Sequence, residues 1–257
     1  VAKAVEKGKS EFVGPELAGK TLGVIGLGAI GAQLANTAIH LGMNVLGYDP
    51  YITVDAAWSL SKTVKHEKDL DKIFAECDYI SIHVPSTPET KGMINAGSIA
   101  KMKDGARIIN LARADLVKAA DIKAAIAEGK VASYVTDFPT EESVGVPGIV
   151  NIPHLGASTE ESEENCAVMA TAELDEYLTT GNIRNSVNFP SVSMPRTDGV
   201  RLCLLHANVP AMISKITSAI SAEGINIENL INKSKGSNAY TVLDLAGDVS
   251  DAALNGL

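Results

Sequence analysis

The sequence predicts an α/β protein: a doubly wound parallel sheet, followed by a smaller ferredoxin-like βαββα unit. Three observations carry that prediction. Six short apolar runs alternate with longer helical patterns between about residues 20 and 180. A glycine-rich turn follows the first of these runs. A stretch rich in Gly, Asn, Ser and Pro, GNIRNSVNFPSVSMPRTD (181–198), then breaks the alternation, and beyond it the order becomes strand, helix, strand, strand.

Taken in order, residues 1–18 open on VAKAVEKGKS, which reads as the end of a helix and has no apolar signal-peptide core. The apolar runs are Thr21–Ile25, Asn44–Gly47, Tyr79–Val84, Arg107–Leu111, Val131–Thr136 and Ile149–Ile152. Helical patterns fall at 30–42, 68–75, 97–102, 119–128 and about 159–180. Runs separated by helical crossovers make a parallel sheet covered on both faces. The last helix has Ser158 or Thr159 as N-cap and Glu160, Glu161, Glu163 and Glu164 in its first turns, where the helix dipole favours anions. No His or Cys joins these glutamates at ligand spacing, so no metal site is expected. Residues 181–198 form a linker. The tail then reads as strand Val200–His206, helix Pro210–Ala222, strand Ile225–Asn232, strand Asn238–Leu245 and a helix start at Ser250–Asp251, five of the six elements of a split βαβ unit. Both ends of the chain look cut.

Composition narrows the function classes. Hydrophobic residues make up 46% and charged residues 21% of 257, the mix of a folded globular chain rather than a disordered one. No apolar run approaches the roughly 18 residues of a membrane span. A formal charge of −9 argues against binding to nucleic acid or anionic lipid, which needs a basic face. Cys77, Cys166 and Cys203 are odd in number and lie far apart, as reduced thiols of a cytoplasmic protein do.

The strongest local signal is Gly26-Leu-Gly28-Ala-Ile-Gly31, which follows a strand and opens a helix. Gly26 permits a tight turn, Gly28 lets backbone N–H groups approach a pyrophosphate, and Gly31 allows close helix–strand packing. Ala29 and Ile30 lie between them at the helix start. Asp49 stands 18 residues after Gly31, at the end of the second strand, close to the ~20 expected of an acid that binds an adenine ribose. That carboxylate accepts from ribose hydroxyls and repels a 2′-phosphate, which selects NAD over NADP. The first domain is therefore of the Rossmann type.

Chemistry is expected where the other strands end, because an open α/β sheet builds its site at the carboxyl edge. The third strand runs into His83 and the apolar wall Val84-Pro85. The fourth ends in Asn110-Leu111-Ala112-Arg113, the fifth in Thr136-Asp137-Phe138-Pro139-Thr140-Glu141-Glu142, and the sixth in Ile152-Pro153-His154. One arginine, carboxylates and a histidine on one edge suit a 2-hydroxy acid. The guanidinium holds the substrate carboxylate bidentately. The imidazole takes the hydroxyl proton while hydride leaves C2, and a neighbouring carboxylate orients the ring. Alone, His154 would read as a turn residue and Arg113 as a helix cap; their convergence beside a dinucleotide turn reverses that.

These residues resemble the D-isomer-specific 2-hydroxyacid dehydrogenases. The similar segments are VIGLGAIG with Asp49, HVPSTPETKGMI (83–94), IINLARADLV (108–117) and IPHLGAST (152–159), four motifs in the family's order over about residues 10–190. The resemblance implies Arg113 as carboxylate binder, His154 as acid–base and Glu141 as its partner. It also implies cofactor contacts from Ala29, Ile30, Asp49, Pro85, Leu111, Ala112 and Arg113, with Asp137 at the nicotinamide carboxamide. One residue is missing relative to the family's D-V-F-x-x-E, so Thr136 competes with Asp137, and Glu142 with Glu141. Asp137 and Glu141 are adopted because Phe-Pro-Thr-Glu aligns without a gap.

The NSVNFP linker and tail look like the serine-sensing ACT domain carried by some members, with residues 199–257 as that domain. His206, Asn208 and Asn226 resemble effector positions for L-serine. Ala211 departs from the usual glycine there, and plain packing in a dimerisation module is the competing reading. The resemblance further implies residues 1–18 as a remnant of a substrate domain or hinge helix, 19–158 as the NAD-binding domain and 159–180 as a helix returning to the substrate domain. The implied reaction is NAD-dependent oxidation of 3-phosphoglycerate to 3-phosphohydroxypyruvate, the first step of serine biosynthesis, in a homodimer or homotetramer. The alternatives are a glyoxylate or hydroxypyruvate reductase of the same family and a non-catalytic NAD-sensing corepressor-like protein.

Overall fold

The computed structural model describes residues 1–251 and 254. They divide into two compact units, 1–156 and 157–257. The first opens with helix α1 (Ala2–Gly8), none of whose side chains is buried. Its sheet comprises β1 (Thr21–Ile25), β2 (Asn44–Tyr48), β3 (Lys65–His66), β4 (Tyr79–Ile82), β5 (Ala106–Asn110), β6 (Val131–Thr136) and β7 (Ile149–Asn151). The order is β3-β2-β1-β4-β5-β6-β7, with every pairing parallel. Helices α2 (Ala29–His40), α3 (Val54–Ser59), α4 (Leu70–Glu76), α5 (Ala96–Ala100) and α6 (Ala119–Ala127) lie between strands.

Period-2 alternation sorts the strand side chains onto two covered faces. On β1, Leu22 and Val24 join Ala35 and Ala38 of α2 in one core cluster. Ile25 joins Ile73 and Phe74 of α4, Ile80, Ile82 and Ile108 in the other. Gly23 lies on this second face: a Cβ there would meet Ile73 Cγ2 at 2.6 Å and Cys77 Sγ at 2.8 Å, so α4 seats directly on backbone. Burial of Cys77 in this contact pushes its thiol up to about 12.

The register aligns the strand ends. Ile25 is level with Tyr48 of β2 and Ile82 of β4, Ile82 with Asn110, Asn110 with Thr136, and Thr136 with Asn151. Gly26, Asp49, His83, Leu111, Asp137 and Ile152 therefore each stand one residue beyond a common row. This is how one edge of the sheet collects residues that are far apart in sequence.

The second unit contains α7 (Glu160–Thr180), β8 (Val200–Ala207), α8 (Met212–Ala222), β9 (Ile227–Lys235) and β10 (Asn238–Leu245). Helix α7 starts at Thr159, whose side chain accepts from Ser162 N, carries Glu160, Glu161 and Glu163 in its first turn, and ends on Gly181 in the left-handed region at φ 73°. The antiparallel sheet has the order β8-β10-β9. Central β10 is buried on both faces. Leu243 and Leu245 pack on Ile216 and Ile220 of α8, whereas Tyr240 and Val242 pack on Ile183, Val192 and Met194 of the linker.

Two elements go beyond the sequence expectation, edge strand β3 and helix α3. Neither carries an apolar period: β3 has two exposed residues and α3 leaves Trp58 84% exposed. Strand β9 runs to Lys235, three residues past the expected Asn232, because it pairs along the whole of β10. At the expected helix start, Leu254 N donates to Ser250 O. Residues 252–253 and 255–257 lie outside the described set.

Candidate active site

The glycine turn has the conformations its residues imply. Gly26 adopts φ +93°, where an L side chain is strained, and a Cβ there would meet His83 O at 2.7 Å. A Cβ on Gly31 would collide with Gly26 O. Gly28 instead faces open space. It is the N-cap of α2 and makes no side-chain capping bond, so the first N–H groups of α2, on Ala29 and Ile30, stay available to an anion. Ile30 is 71% exposed above them. Asp49 Oδ2 accepts from Leu27 N and Oδ1 from Tyr51 N, each at 2.8 Å. The acid is thus locked to the turn and still has lone pairs for two hydroxyls. An open glycine cradle, an uncapped helix start and a fixed carboxylate at the end of β2 fit the pyrophosphate and ribose of NAD.

Beside this turn, His83 shares a 2.9 Å hydrogen bond with Ser81 Oγ through Nε2. Burial holds its imidazole below the ordinary value. Pro85 is exposed after β4, its carbonyl accepting from Thr90 Oγ1 at 2.7 Å.

At the end of β5, Asn110 is fully buried. Its Nδ2 donates to Arg113 O at 2.9 Å and its Oδ1 accepts from Ala112 N at 3.2 Å, which folds Leu111-Ala112-Arg113 back over the strand end. Sequence reasoning missed this residue; an asparagine at a strand end, able to make a side-chain turn, was the available signal. Arg113 is exposed, with Nη1 on Ala112 O at 2.6 Å. It makes no ion pair among the described residues, so most of its guanidinium fork is free for a carboxylate.

The third group differs from the sequence expectation. His154 Nδ1 lies 2.8 Å from Asp137 Oδ2, and the Phe138 ring rests against the imidazole at 4.9 Å. Nε2 makes no hydrogen bond among the described residues, and the His154 side chain is 54% exposed. The sequence assigns this partnership to Glu141. The structure leaves Glu141 exposed and, among the described residues, without a hydrogen bond or ion pair, and Glu142 is exposed as well. The reason is local. Strand β6 ends at Thr136, whose Oγ1 accepts from Phe138 N at 3.1 Å; that turn points Asp137 at His154, whereas Glu141 lies beyond Pro139 in an exposed turn. The turn is anchored by Ser143 Oγ on Asn151 Oδ1 at 2.9 Å and Asn151 Nδ2 on Ser143 O at 3.0 Å. The second carboxylate oxygen of Asp137, Oδ1, is buried and has no hydrogen-bond partner among the described residues.

In the second unit the expected effector residues do not converge within one chain. Asn208 lies at the β9–β10 hairpin, its Nδ2 donating to Gly236 O at 3.1 Å. His206 is beside it, bonded to Ala207 O and Thr241 Oγ1. Asn226 sits at the other end of the sheet, its carbonyl accepting from Ala246 N. The strands between make that roughly 25 Å at about 3.3 Å per residue.

Comparison with known proteins gives the family. Residues 2–162 match the D-isomer specific 2-hydroxyacid dehydrogenase, NAD binding domain, and the chain belongs to that family. Among curated relatives it is 34% identical over 255 residues to D-3-phosphoglycerate dehydrogenase 2 of Saccharomyces cerevisiae, covering 90% of this chain and 53% of that protein. To the D-3-phosphoglycerate dehydrogenase of Escherichia coli K12 it is 33% identical over 255 residues, covering 94% and 61%. The chain thus spans little more than half the length of these relatives. Solved structures similar to it include a D-isomer specific 2-hydroxyacid dehydrogenase from Lactobacillus delbrueckii ssp. bulgaricus in its NAD complexed form, with TM-score 0.60 and 25% identity over 69% of this chain and 58% of that one. A glyoxylate reductase from Paecilomyes thermophila matches with TM-score 0.61 and 26% identity, over 72% and 58%.

Proposed function

We propose that the protein is an NAD-dependent dehydrogenase that oxidises 3-phosphoglycerate to 3-phosphohydroxypyruvate, the first step of serine biosynthesis. The observation that carries this reading is the pair of unspent groups on one sheet edge, the guanidinium of Arg113 and Nε2 of His154. They stand beside a glycine turn open to a dinucleotide. The phosphoglycerate dehydrogenases among its relatives favour this substrate over glyoxylate or hydroxypyruvate.

Gly26, Gly28, Ala29, Ile30 and Gly31 hold the pyrophosphate, and Asp49 holds the adenine ribose. Pro85, Leu111 and Ala112 wall the cleft. Arg113 binds the substrate carboxylate and polarises the C2 oxygen. Nε2 of His154 takes the proton of the C2 hydroxyl as the C2–O bond becomes a carbonyl. The chemistry that NAD supplies is acceptance of the hydride from C2. A corepressor-like protein would need no exposed acid–base group, and Arg113 and His154 argue against that alternative.

The reading further places the protein in the cytoplasm as a homo-oligomer and residues 199–257 as an ACT-like domain. Binding of L-serine at His206 and Asn208 is a separate proposal; calorimetric titration with L-serine tests it, and absence of heat removes it. The main test is turnover of the full-length protein with NAD and 3-phosphoglycerate against a panel of D-2-hydroxy acids. Saturable reduction of NAD with 3-phosphoglycerate as best substrate is expected. NAD binding without turnover on any panel member would refute it.

A further inference from the structure

We infer that Asp137, rather than Glu141, is the residue that positions His154 and fixes its tautomer. The inference rests on the assignment of His154 as acid–base and adds the identity of its carboxylate partner.

Three observations support it. Asp137 Oδ2 is 2.8 Å from Nδ1 of His154, the distance of a charge-assisted hydrogen bond. A carboxylate only accepts, so Nδ1 carries the proton and Nε2 keeps the lone pair that faces solvent. The Asp137 side chain is only 11% exposed, against 54% for His154. Water therefore does not compete for the carboxylate, although it reaches the imidazole. The ring of Phe138, next in sequence, lies 4.9 Å from the imidazole with an interplanar angle of 32° and limits its rotation. Glu141 meets none of these conditions: it is exposed and makes no hydrogen bond or ion pair among the described residues.

The physical consequence follows the logic of acid–base dyads. When Nε2 receives a proton, the ring becomes an imidazolium whose positive charge is met by a desolvated anion on the opposite nitrogen. The stabilisation appears only as the proton arrives, so it favours the transition state over the ground state. An exposed glutamate in water would supply much less, because water screens it.

The experiment compares D137N and E141Q in the full-length protein. The first readout is the ¹⁵N and downfield ¹H NMR of His154. The parent and E141Q should show the Nδ1-protonated tautomer with a downfield Nδ1–H resonance, and D137N should lose it. The second is steady-state kinetics. D137N should lower kcat about a hundredfold or more, with substrate KM and NAD affinity within about threefold, whereas E141Q stays within about threefold in all of them. An Nε2-protonated His154 in the parent, or loss of the resonance and of kcat in E141Q, would overturn the inference. Should D137N fail to fold, the parent and E141Q spectra decide alone. The NMR result does not depend on turnover, so a parent inactive on every 2-hydroxy acid would refute the proposed reaction and leave the pairing separately decided.

Discussion

Two histidines, one in each unit, spend their hydrogen-bonding capacity in opposite ways. His154 has one nitrogen on a carboxylate and the other without a hydrogen bond among the described residues. His206 has both nitrogens bonded to neutral oxygens of its own sheet, Ala207 O and Thr241 Oγ1. Two arginines repeat the contrast. Arg113 is exposed with one backbone acceptor. Arg201 has a side chain 4% exposed and is wholly committed: its Nε and Nη2 lie on Asp244, its Nη1 on Thr180 O and Met194 O, and its Nη2 also on Pro195 O. The lesson is that residue type alone does not mark a site. A ligand needs groups whose bonds are not yet made, and the first unit keeps such groups while the second has used them for its own cohesion.

Substitutions should divide along this line. The largest effect is expected at His154: H154A should lower kcat by about 10²–10⁴ and leave NAD affinity nearly unchanged. Activity equal to the parent would end the acid–base assignment. Next comes R201M, which leaves the Asp244 carboxylate buried without its cation and should cost about 3–5 kcal/mol of stability. Denaturant unfolding of the second unit measures this, and an unchanged midpoint would show that the pair is dispensable.

The same pair sets a pH dependence. The hydrogen bonds from Arg201 hold the Asp244 carboxyl below its ordinary value. Its stabilisation is therefore complete above the unfolded value of about 3.9 and is lost as pH falls through the lower folded value. R201M should flatten the stability profile in that acid window. A smaller effect belongs to R113A, where loss of charge-assisted bonds worth about 1.5–3 kcal/mol should raise substrate KM about 10- to 150-fold. Unchanged KM would exclude carboxylate binding.

The smallest expected effect is a gain. Ala211, the N-cap of α8, is held at φ 66°, a region that disfavours residues with a Cβ. A211G should stabilise the second unit by about 0.5–1 kcal/mol, raising its melting temperature by a few degrees. A lower melting temperature would show that the methyl is packed rather than strained.

Much of the fold was legible because its signals are local. A strand of the TLGVI type, a glycine turn and an acid at the end of the next strand announce a dinucleotide domain, and the row of strand ends then follows from parallel register. What escaped was set by register and depth. Lys65–His66 pairs with β2 for only two residues, too briefly to leave a pattern. Asn110 matters because it is buried and can bond its own backbone, which its position in a list of residues does not reveal. The choice between Asp137 and Glu141 turned on a similar point. Aligning Phe-Pro-Thr-Glu counts residues along the chain, whereas the bond to His154 depends on where β6 stops and how Thr136 turns the backbone after it.

The commitments of Arg201 also have a mechanical consequence. Through Thr180 O it grips the end of α7, through Met194 and Pro195 the linker, and through Asp244 the central strand, while Tyr240 OH donates to Gly181 O at 2.6 Å on the adjoining turn. No slack is left at this joint. Helix α7 is 21 residues long, about 30 Å at 1.5 Å per residue. It behaves as a lever clamped at one end: a few degrees of tilt in the small sheet become a displacement of an ångström or more at its acidic tip.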